Sequence, residues 1–453
     1  MPTSKTYKVS AIEEAVTHFS SYSDRIQHLL LNLAQSSPAS LPDESLSEIL
    51  NGQATSALQK LVPIDARKKE GLFFSSTQLA DRIAERLAPK LQTGVRLLDP
   101  ACGAGNLLLA CAKYFPVGVN LAETLRLWSD SIVGYDLHHE FIRATQFRLA
   151  FFAASHHLNE SEAIRHIDPS SIFNRIIVGD FFAHTTPDDI DCIVVNPPFG
   201  HIDAPDGCLW ATGKVQAAGC FLENLLHIAP KDQHIVAILP DVLRSGTRYR
   251  KWRSLVSEMC SSLGIEMAGR FDETTDVDVF ILYAVVGNPS EASNKWTNSR
   301  LENVDAGHVV GDFFEVHVGP VVPHRDPIEG PSYPYIHART APAWQTIRQI
   351  DEDRQYSGKV FSPPFVVVHR TSSPSDKSRC IATLVDMEQS VAVENHLIVL
   401  LPRDNSIDSC LLLLDVFKSE LSTNWLNQRI RCRHLTVSSL KELPWLGKTP
   451  DEE

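Results

Sequence analysis

No apolar run in the 453 residues approaches the roughly 20 that a bilayer-spanning helix requires, so no membrane segment is expected. The N-terminal Met1-Pro2-Thr3-Ser4-Lys5 lacks the apolar stretch of a secretory signal, and the chain is expected to be soluble and cytoplasmic. Nine cysteines are present, yet none stands in a CxxC pair, so neither a zinc site nor a disulfide framework is signalled. Most sit in apolar contexts such as Asp191-Cys192-Ile193-Val194, where cysteine behaves as a small core residue, and they read as reduced thiols with no metal. Positive charge is also in short supply: 42 Lys and Arg against 55 Asp and Glu leave a net charge of −13. A tight grip on a polyphosphate would need a local basic groove or a basic partner.

The chain does have enough apolar residues, 43% of the total, and enough length for two packed domains. Helical periodicity from Tyr7 to Ala34 and again from Ser45 to Leu61 marks a small helical extension without a catalytic constellation. It holds no Asp…Glu-x-Lys cluster that would signal a fused nuclease. From Gly94 to about Val286 the pattern alternates strands and helices, as in a parallel sheet with crossover helices. Gly264 to Ala268 and Val279 to Val286 are two later strand candidates that could close the sheet with a hairpin. Strand-like runs Phe365–Val368 and His396–Leu401, with a helix around Leu411 to Leu426, form a further domain. The expected organisation is therefore a helical extension over 1–65, an α/β domain over 66–300 and a C-terminal α+β domain over 320–453.

Four successive strand ends deliver Asp99, Asp136, Asp180 and Asn196. In an open α/β sheet, ligands bind outside the carboxyl ends of the strands, so these residues mark one site. The first motif is Leu98-Asp99-Pro100-Ala101-Cys102-Gly103-Ala104-Gly105-Asn106. Its glycines permit a tight turn and close backbone approach to a ligand, and the following helix start could receive the carboxylate of an amino-acid-like cofactor. Taken alone it could equally be a structural strand-to-helix turn. Asp136 in Gly134-Tyr135-Asp136-Leu137 can accept two ribose hydroxyls, with Leu137 against an adenine ring. Asp180 and Phe181 could hold an adenine amino group and face, although each such residue is also a common cap or turn residue.

The most specific motif is Asn196-Pro197-Pro198-Phe199-Gly200 after the run Cys192–Val195. An aromatic exocyclic amine is a poor nucleophile because its lone pair is delocalised into the ring. Hydrogen bonds to the Asn196 side-chain oxygen and the Pro197 carbonyl would draw that lone pair out of conjugation, and the prolines would hold the carbonyl in place. Phe199 offers a face for a base rotated out of a duplex.

These motifs resemble, over roughly Lys69 to Val286, the gamma-class N6-adenine DNA methyltransferases of Type I and Type II restriction–modification systems. Gly71-Leu72-Phe73-Phe74-Ser75-Ser76-Thr77 is similar to the family's leading cofactor motif, with Ser75-Ser76 where Thr-Pro is frequent. Ala218–Glu223, Ile238–Ser245 and the basic stretch Arg248, Arg250, Lys251 and Arg253 also resemble the family. The resemblance implies a class I, Rossmann-like, S-adenosyl-L-methionine-dependent methyltransferase domain and a C-terminal target-recognition domain. It implies direct methyl transfer to a flipped-out adenine, with Asn196, Pro197, Pro198 and Phe199 catalytic. It implies cofactor contacts from Phe74, Thr77, Asp99, Ala101, Gly103, Gly105, Asp136, Leu137, Asp180 and Phe181. Arg248, Arg250, Arg370, Arg429, Arg431 and Arg433 are candidates for contacts to double-stranded DNA, with solvated surface arginines an even alternative for any one. Tyr283 could add a stacking face, although a core tyrosine is the simpler reading, and Cys432 and His434 signal metal only weakly.

Two other functions stay open at this point. One is a methyltransferase for RNA or for protein glutamine, which shares the Asn-Pro-Pro logic. The other is a modification subunit that acts mainly as a scaffold and depends on a separate specificity or restriction subunit.

Overall fold

A computed structural model of the chain describes residues 16, 18–35, 53–65, 67, 71–184, 189–271, 277–289, 296, 307–373, 376–430 and 434–445. The chain divides into two compact units, one of residues 1–243 with 248–296, the other of residues 297–453 with 244–247.

The longer helices of the first unit are α1 (Ser20–Leu33), α2 (Gln53–Leu61), α3 (Thr77–Leu91), α4 (Asn106–Ala112), α5 (Leu121–Ser131), α6 (His139–Ser155), α7 (Ala217–Ile228) and α8 (Arg250–Glu258). Its strands are β1 (Leu97–Asp99), β2 (Ile132–Asp136), β3 (Ile176–Val178), β4 (Cys192–Val195), β5 (His201–Asp203), β6 (Lys214–Gln216), β7 (His234–Pro240), β8 (Cys260–Arg270) and β9 (Asp278–Val286). Seven of these strands form one sheet in the order β3-β2-β1-β4-β7-β9-β8. The five on the β3 side are parallel, and both faces are covered, which is why β1 and β4 are buried along their whole length.

The hairpin expected from the sequence is present, and its order in the sheet follows burial. Val279 to Leu282 of β9 are fully buried, so this strand sits inside, antiparallel to both β7 and β8. The half-exposed β8 is left at the edge. Strand order reverses between β1 and β4, which places a crevice at the carboxyl ends of those two strands.

The N-terminal helices belong to this unit. Tyr22, Ile26, Leu30 and Leu33 line the buried face of α1 at helical spacing, and that face packs on α6. The expected helical pattern before residue 16, and that between residues 36 and 52, lie outside the described residues.

The second unit carries β10 (Phe314–Val318), β11 (Ser332–Ile336), β12 (Thr346–Ile347), β13 (Asp353–Gln355), β14 (Phe365–His369), β15 (Ala382–Val385), β16 (Ala392–Val393) and β17 (Leu397–Pro402). The helices α9 (Ile407–Lys418) and α10 (Glu420–Arg429) follow them. A five-stranded sheet runs β10-β17-β14-β15-β12, and a three-stranded sheet runs β13-β11-β16. The period-2 alternation of β14 divides its side chains between two cores. Val366 and Val368 join Leu413 and Phe417 of α9, while Phe365 and Val367 join Ile336, Phe361 and Val393.

No described helix is long and apolar enough to cross a membrane. Among the described residues, no group of three or more His, Cys, Asp and Glu side chains is arranged to hold a metal ion.

Candidate active site

The crevice of the first unit opens into a cavity of about 300 Å³. Strand ends supply its polar wall: Ala101 and Gly103 after β1, Asp136 and Leu137 at β2, Asp180 and Phe181 after β3, and Asn196 and Pro198 after β4. Phe74 comes from the segment that precedes α3.

The turn after β1 is held from several sides. Gly103 has φ +54°, and a Cβ there would lie 2.7 Å from the Phe74 ring. Only glycine allows this ring to rest on the turn. The Gly103 carbonyl accepts from Thr145 Oγ1 at 2.9 Å. Gly105, at φ +80°, faces Thr145 and does not line the cavity; a Cβ there would come within 2.7 Å of Thr145 Cγ2. Beneath the turn, the buried Arg148 guanidinium donates to the Ala104 carbonyl and, at 2.7 Å, to Asn106 Oδ1. Asn106 Nδ2 donates onward to the Ser75 carbonyl at 2.7 Å and to Thr55 Oγ1 of α2 at 3.0 Å.

The carboxylates play distinct parts. Asp136 accepts from the Gly103 amide at 3.0 Å and the His138 amide at 2.9 Å, so it ties the first two strand ends together. Burial raises its carboxyl above the ordinary range, against the pull of His138 and these amides. Asp99 is 1% exposed and lies beside the main cavity, in a small adjoining space of about 20 Å³ that Asn196 and Asn106 also line. Burial, with the nearby Asp136 charge, pushes its carboxyl up to about 8, although the Ala101 amide donates to it at 3.1 Å. Asp180 is exposed on the cavity wall and caps a 3₁₀ turn by accepting from the Phe182 amide at 3.0 Å. Leu137 is 67% exposed at the rim, an apolar side chain turned toward the ligand space.

At the end of β4, Asn196 Nδ2 donates to the Phe73 carbonyl at 2.8 Å. A carbonyl can only accept, so the amide end facing Phe73 is the NH₂ and the other end is the oxygen. That Oδ1 is buried and has no hydrogen-bond partner. Phe199 is 8% exposed, with the Phe73 ring 6.5 Å away at 30° and the Phe271 ring 5.1 Å away at 69°. Its faces are therefore more enclosed than the sequence suggests. Pro197 is buried and does not line the cavity.

Several residues of the wall were not singled out from the sequence. Phe182 and Phe221 meet edge to face at 4.8 Å, and His138 rests against Phe141 at 5.1 Å. Phe182 follows Phe181 directly, and Phe221 lies in the stretch that resembles the methyltransferase family, so weak signals existed for both. Phe271 had none. Thr77 does not line the cavity; it is the first residue of α3 and faces a separate small space with Asp81, Lys113 and Arg148. The departure at Ser75-Ser76 is accommodated: Ser75 contributes its carbonyl to Asn106, and the Ser76 hydroxyl caps α3 by accepting from the Leu79 amide. Tyr283 is not a stacking face, because Arg86 lies 4.0 Å over its ring and its hydroxyl donates to Glu266 at 3.0 Å.

The basic candidates fall in both units. Arg248 donates to the Thr212 carbonyl, and Arg250 is exposed at the start of α8. In the second unit, Arg370 donates to the Asn395 carbonyl at 3.5 Å and Arg429 pairs with Glu442. Arg431, Cys432 and Arg433 lie outside the described residues. His434 meets Thr371 Oγ1 at 3.3 Å, and burial lowers its pKa.

Residues 57–207 match the family model described as N-6 DNA Methylase. The chain is similar in fold to the type IIL restriction-modification enzyme MmeI, solved in complex with DNA. That match has a TM-score of 0.51 and 12% identity, and covers 88% of this chain and 71% of MmeI. A modification subunit from Vibrio vulnificus YJ016 aligns at TM-score 0.37 and 16% identity over 56% of this chain. The type I methyltransferase subunit from Streptococcus thermophilus aligns at 0.33 and 15% over 52%. The chain covers 55% and 50% of these two subunits, about half of each. No curated protein sequence matches it. The first unit thus has the class I methyltransferase architecture, with additional helical and β regions around it.

Proposed function

We propose that this chain, whose residues 57–207 carry an N-6 DNA methylase domain, transfers a methyl group from S-adenosyl-L-methionine to the N6 amine of an adenine turned out of double-stranded DNA. The observation that carries the reading is the Asn196 amide. Its nitrogen is committed to the Phe73 carbonyl, and its buried oxygen is left without a partner beside the cavity. A buried acceptor with no donor is costly, and a ligand NH₂ group is the complement that would relieve it.

The cavity residues suit the cofactor. Gly103 lines the cavity beside the Phe74 ring that rests on it, Asp136 stands at the end of β2 where ribose hydroxyls would be received, and the exposed Leu137 offers an apolar surface to an adenine ring. When bound, the cofactor supplies an electrophilic methyl group on a sulfonium. The protein's share is positioning and electrostatics. Asn196 Oδ1 accepts one amine hydrogen and so concentrates the lone pair on nitrogen. Phe73 lines the cavity and its ring packs with those of Phe199 and Phe271, an aromatic cluster against which a flat base would stack. The net charge of −13 makes a basic specificity or restriction subunit part of the same proposal, supplying phosphate contacts that this chain has in limited number.

The test is incubation of the purified chain, alone and with proteins that copurify from its native host, with methyl-labelled cofactor and mixed genomic DNA. RNA and protein substrates run in parallel. Label recovered as N6-methyladenine in DNA, and lost in Asn196→Ala, is the expected result. Label in RNA or protein alone would refute it.

A further inference from the structure

The segment Gly71–Ser75 is fixed at both ends to chemistry-bearing motifs. At one end, Gly71 has φ +70°, and a Cβ on it would lie 2.8 Å from Pro198 Cβ and 3.0 Å from the Phe199 amide nitrogen. The backbone of this turn therefore rests directly on the Pro198-Phe199 backbone. Two residues on, the Phe73 carbonyl accepts from Asn196 at 2.8 Å. At the other end, Phe74 covers Gly103, and the Ser75 carbonyl accepts from Asn106 at 2.7 Å. Gly71, Leu72, Phe73 and Phe74 all line the cavity in between.

An asparagine amide can turn over by 180° about its last torsion, which exchanges its donor and acceptor ends. Here the Phe73 carbonyl chooses the orientation, and it can do so only while Gly71 lets the turn approach Pro198. We propose that Gly71 and the Phe73 carbonyl are positioning groups that set Asn196 with its oxygen toward the base. The inference rests on the reading of Asn196 as the acceptor for the amine.

Gly71→Ala tests it, with Gly94→Ala as control. Gly94 has φ +77° but no atom within 4 Å of an added Cβ, so it reports backbone strain alone. At saturating cofactor, the rate of methyl transfer to genomic DNA is expected to fall at least about 100-fold in Gly71→Ala. Affinity for S-adenosylhomocysteine, measured by calorimetry, should fall far less than the rate, by about threefold at most, because Gly71 is one of many residues lining the cavity. Gly94→Ala should change neither. An unchanged rate in Gly71→Ala overturns the proposal. So does an equal fall in rate and affinity, which would make Gly71 only a wall of the cofactor cavity. Asn196→Asp serves if Gly71→Ala does not fold: it keeps an acceptor oxygen but loses the donor to Phe73, and a wild-type rate in it overturns the proposal. If the wild-type chain labels no DNA, the functional reading falls separately. The Asn196 side-chain ¹⁵N amide then decides the positioning role, since it should exchange slowly in the wild type and rapidly in Gly71→Ala. Equal exchange in the two refutes it.

Discussion

Phe19 lies in the turn leading into α1, far in sequence from every motif, yet replacing it with alanine should weaken ligand binding in the cavity. Its ring is fully buried and meets Phe141 at 5.0 Å and 85°, Phe74 at 5.9 Å and 79°, and Tyr22 at 5.0 Å. Phe74 and Phe141 also meet each other at 4.9 Å and both line the cavity. Truncating a buried phenylalanine costs about 3–5 kcal/mol, because the transfer term and the residual cavity add. In a unit of this size each kcal/mol moves the thermal midpoint by roughly 2 °C, so Phe19→Ala should lower it by about 6–10 °C. The void opens behind Phe74, the ring that rests on Gly103, so S-adenosylhomocysteine should bind about tenfold more weakly, a loss of roughly 1.4 kcal/mol. Scanning calorimetry and titration calorimetry read the two effects. Leu31→Ala, on the same helix but 45% exposed, is the control and should change neither. A destabilised Phe19→Ala that binds the ligand as well as wild type would show that the N-terminal helix merely supports the fold.

Gly103→Ala combines left-handed backbone strain with a contact on Phe74, which its neighbours prevent from yielding; it should cost about 2–4 kcal/mol against about 1 for Gly94→Ala, compared by denaturant unfolding. Asp99 has its pKa raised to about 8 in the folded chain, so its contribution to stability is present below the ordinary carboxylate range and is lost as pH rises through 8. The midpoint of Asp99→Asn relative to wild type should therefore climb from pH 5 to 8 and level off above; a constant difference would refute the assigned ionisation. Replacing Arg248 and Arg250 together with alanine should reduce the slope of log affinity against log salt for DNA by about 2, with little change in sequence preference. An unchanged slope would remove both from the interface.

The sequence carried strand ends better than surroundings. Asp136, Asp180 and Asn196 were legible because a short apolar run ending in a polar residue is a local signal, and the sheet brings such ends to one edge whatever its order. The wall of the cavity was less legible because it is assembled from distant segments. The same holds behind the wall, where Phe271 follows the edge strand β8 and nothing local in Arg270-Phe271 indicates that its ring closes on Phe199. Glycine roles were read in kind but not in partner. Gly103 does meet the cavity, whereas Gly105 makes room for Thr145, and a one-dimensional pattern cannot separate a glycine that faces a ligand from one that faces a helix. Thr77 illustrates the converse. A residue named by similarity to a motif sits one position past the Ser76 cap, where the helix turns it away from the cavity.

These differences share a cause. The motifs after β1 and β4 are distant in sequence and adjacent in the sheet, and neither specifies the geometry between them. That geometry is set by the segment Gly71–Ser75, whose apolar and small residues carry no chemistry of their own. It contributes two carbonyls, one to Asn196 and one to Asn106, and a ring to cover Gly103. Backbone acceptors are independent of side-chain identity, so they leave little trace in a sequence. What the sequence does retain is the glycine that permits the approach. Gly71 is thus the informative position of the segment, because a Cβ there would press on Pro198 and on the Phe199 amide nitrogen and so lift the Phe73 carbonyl away from Asn196.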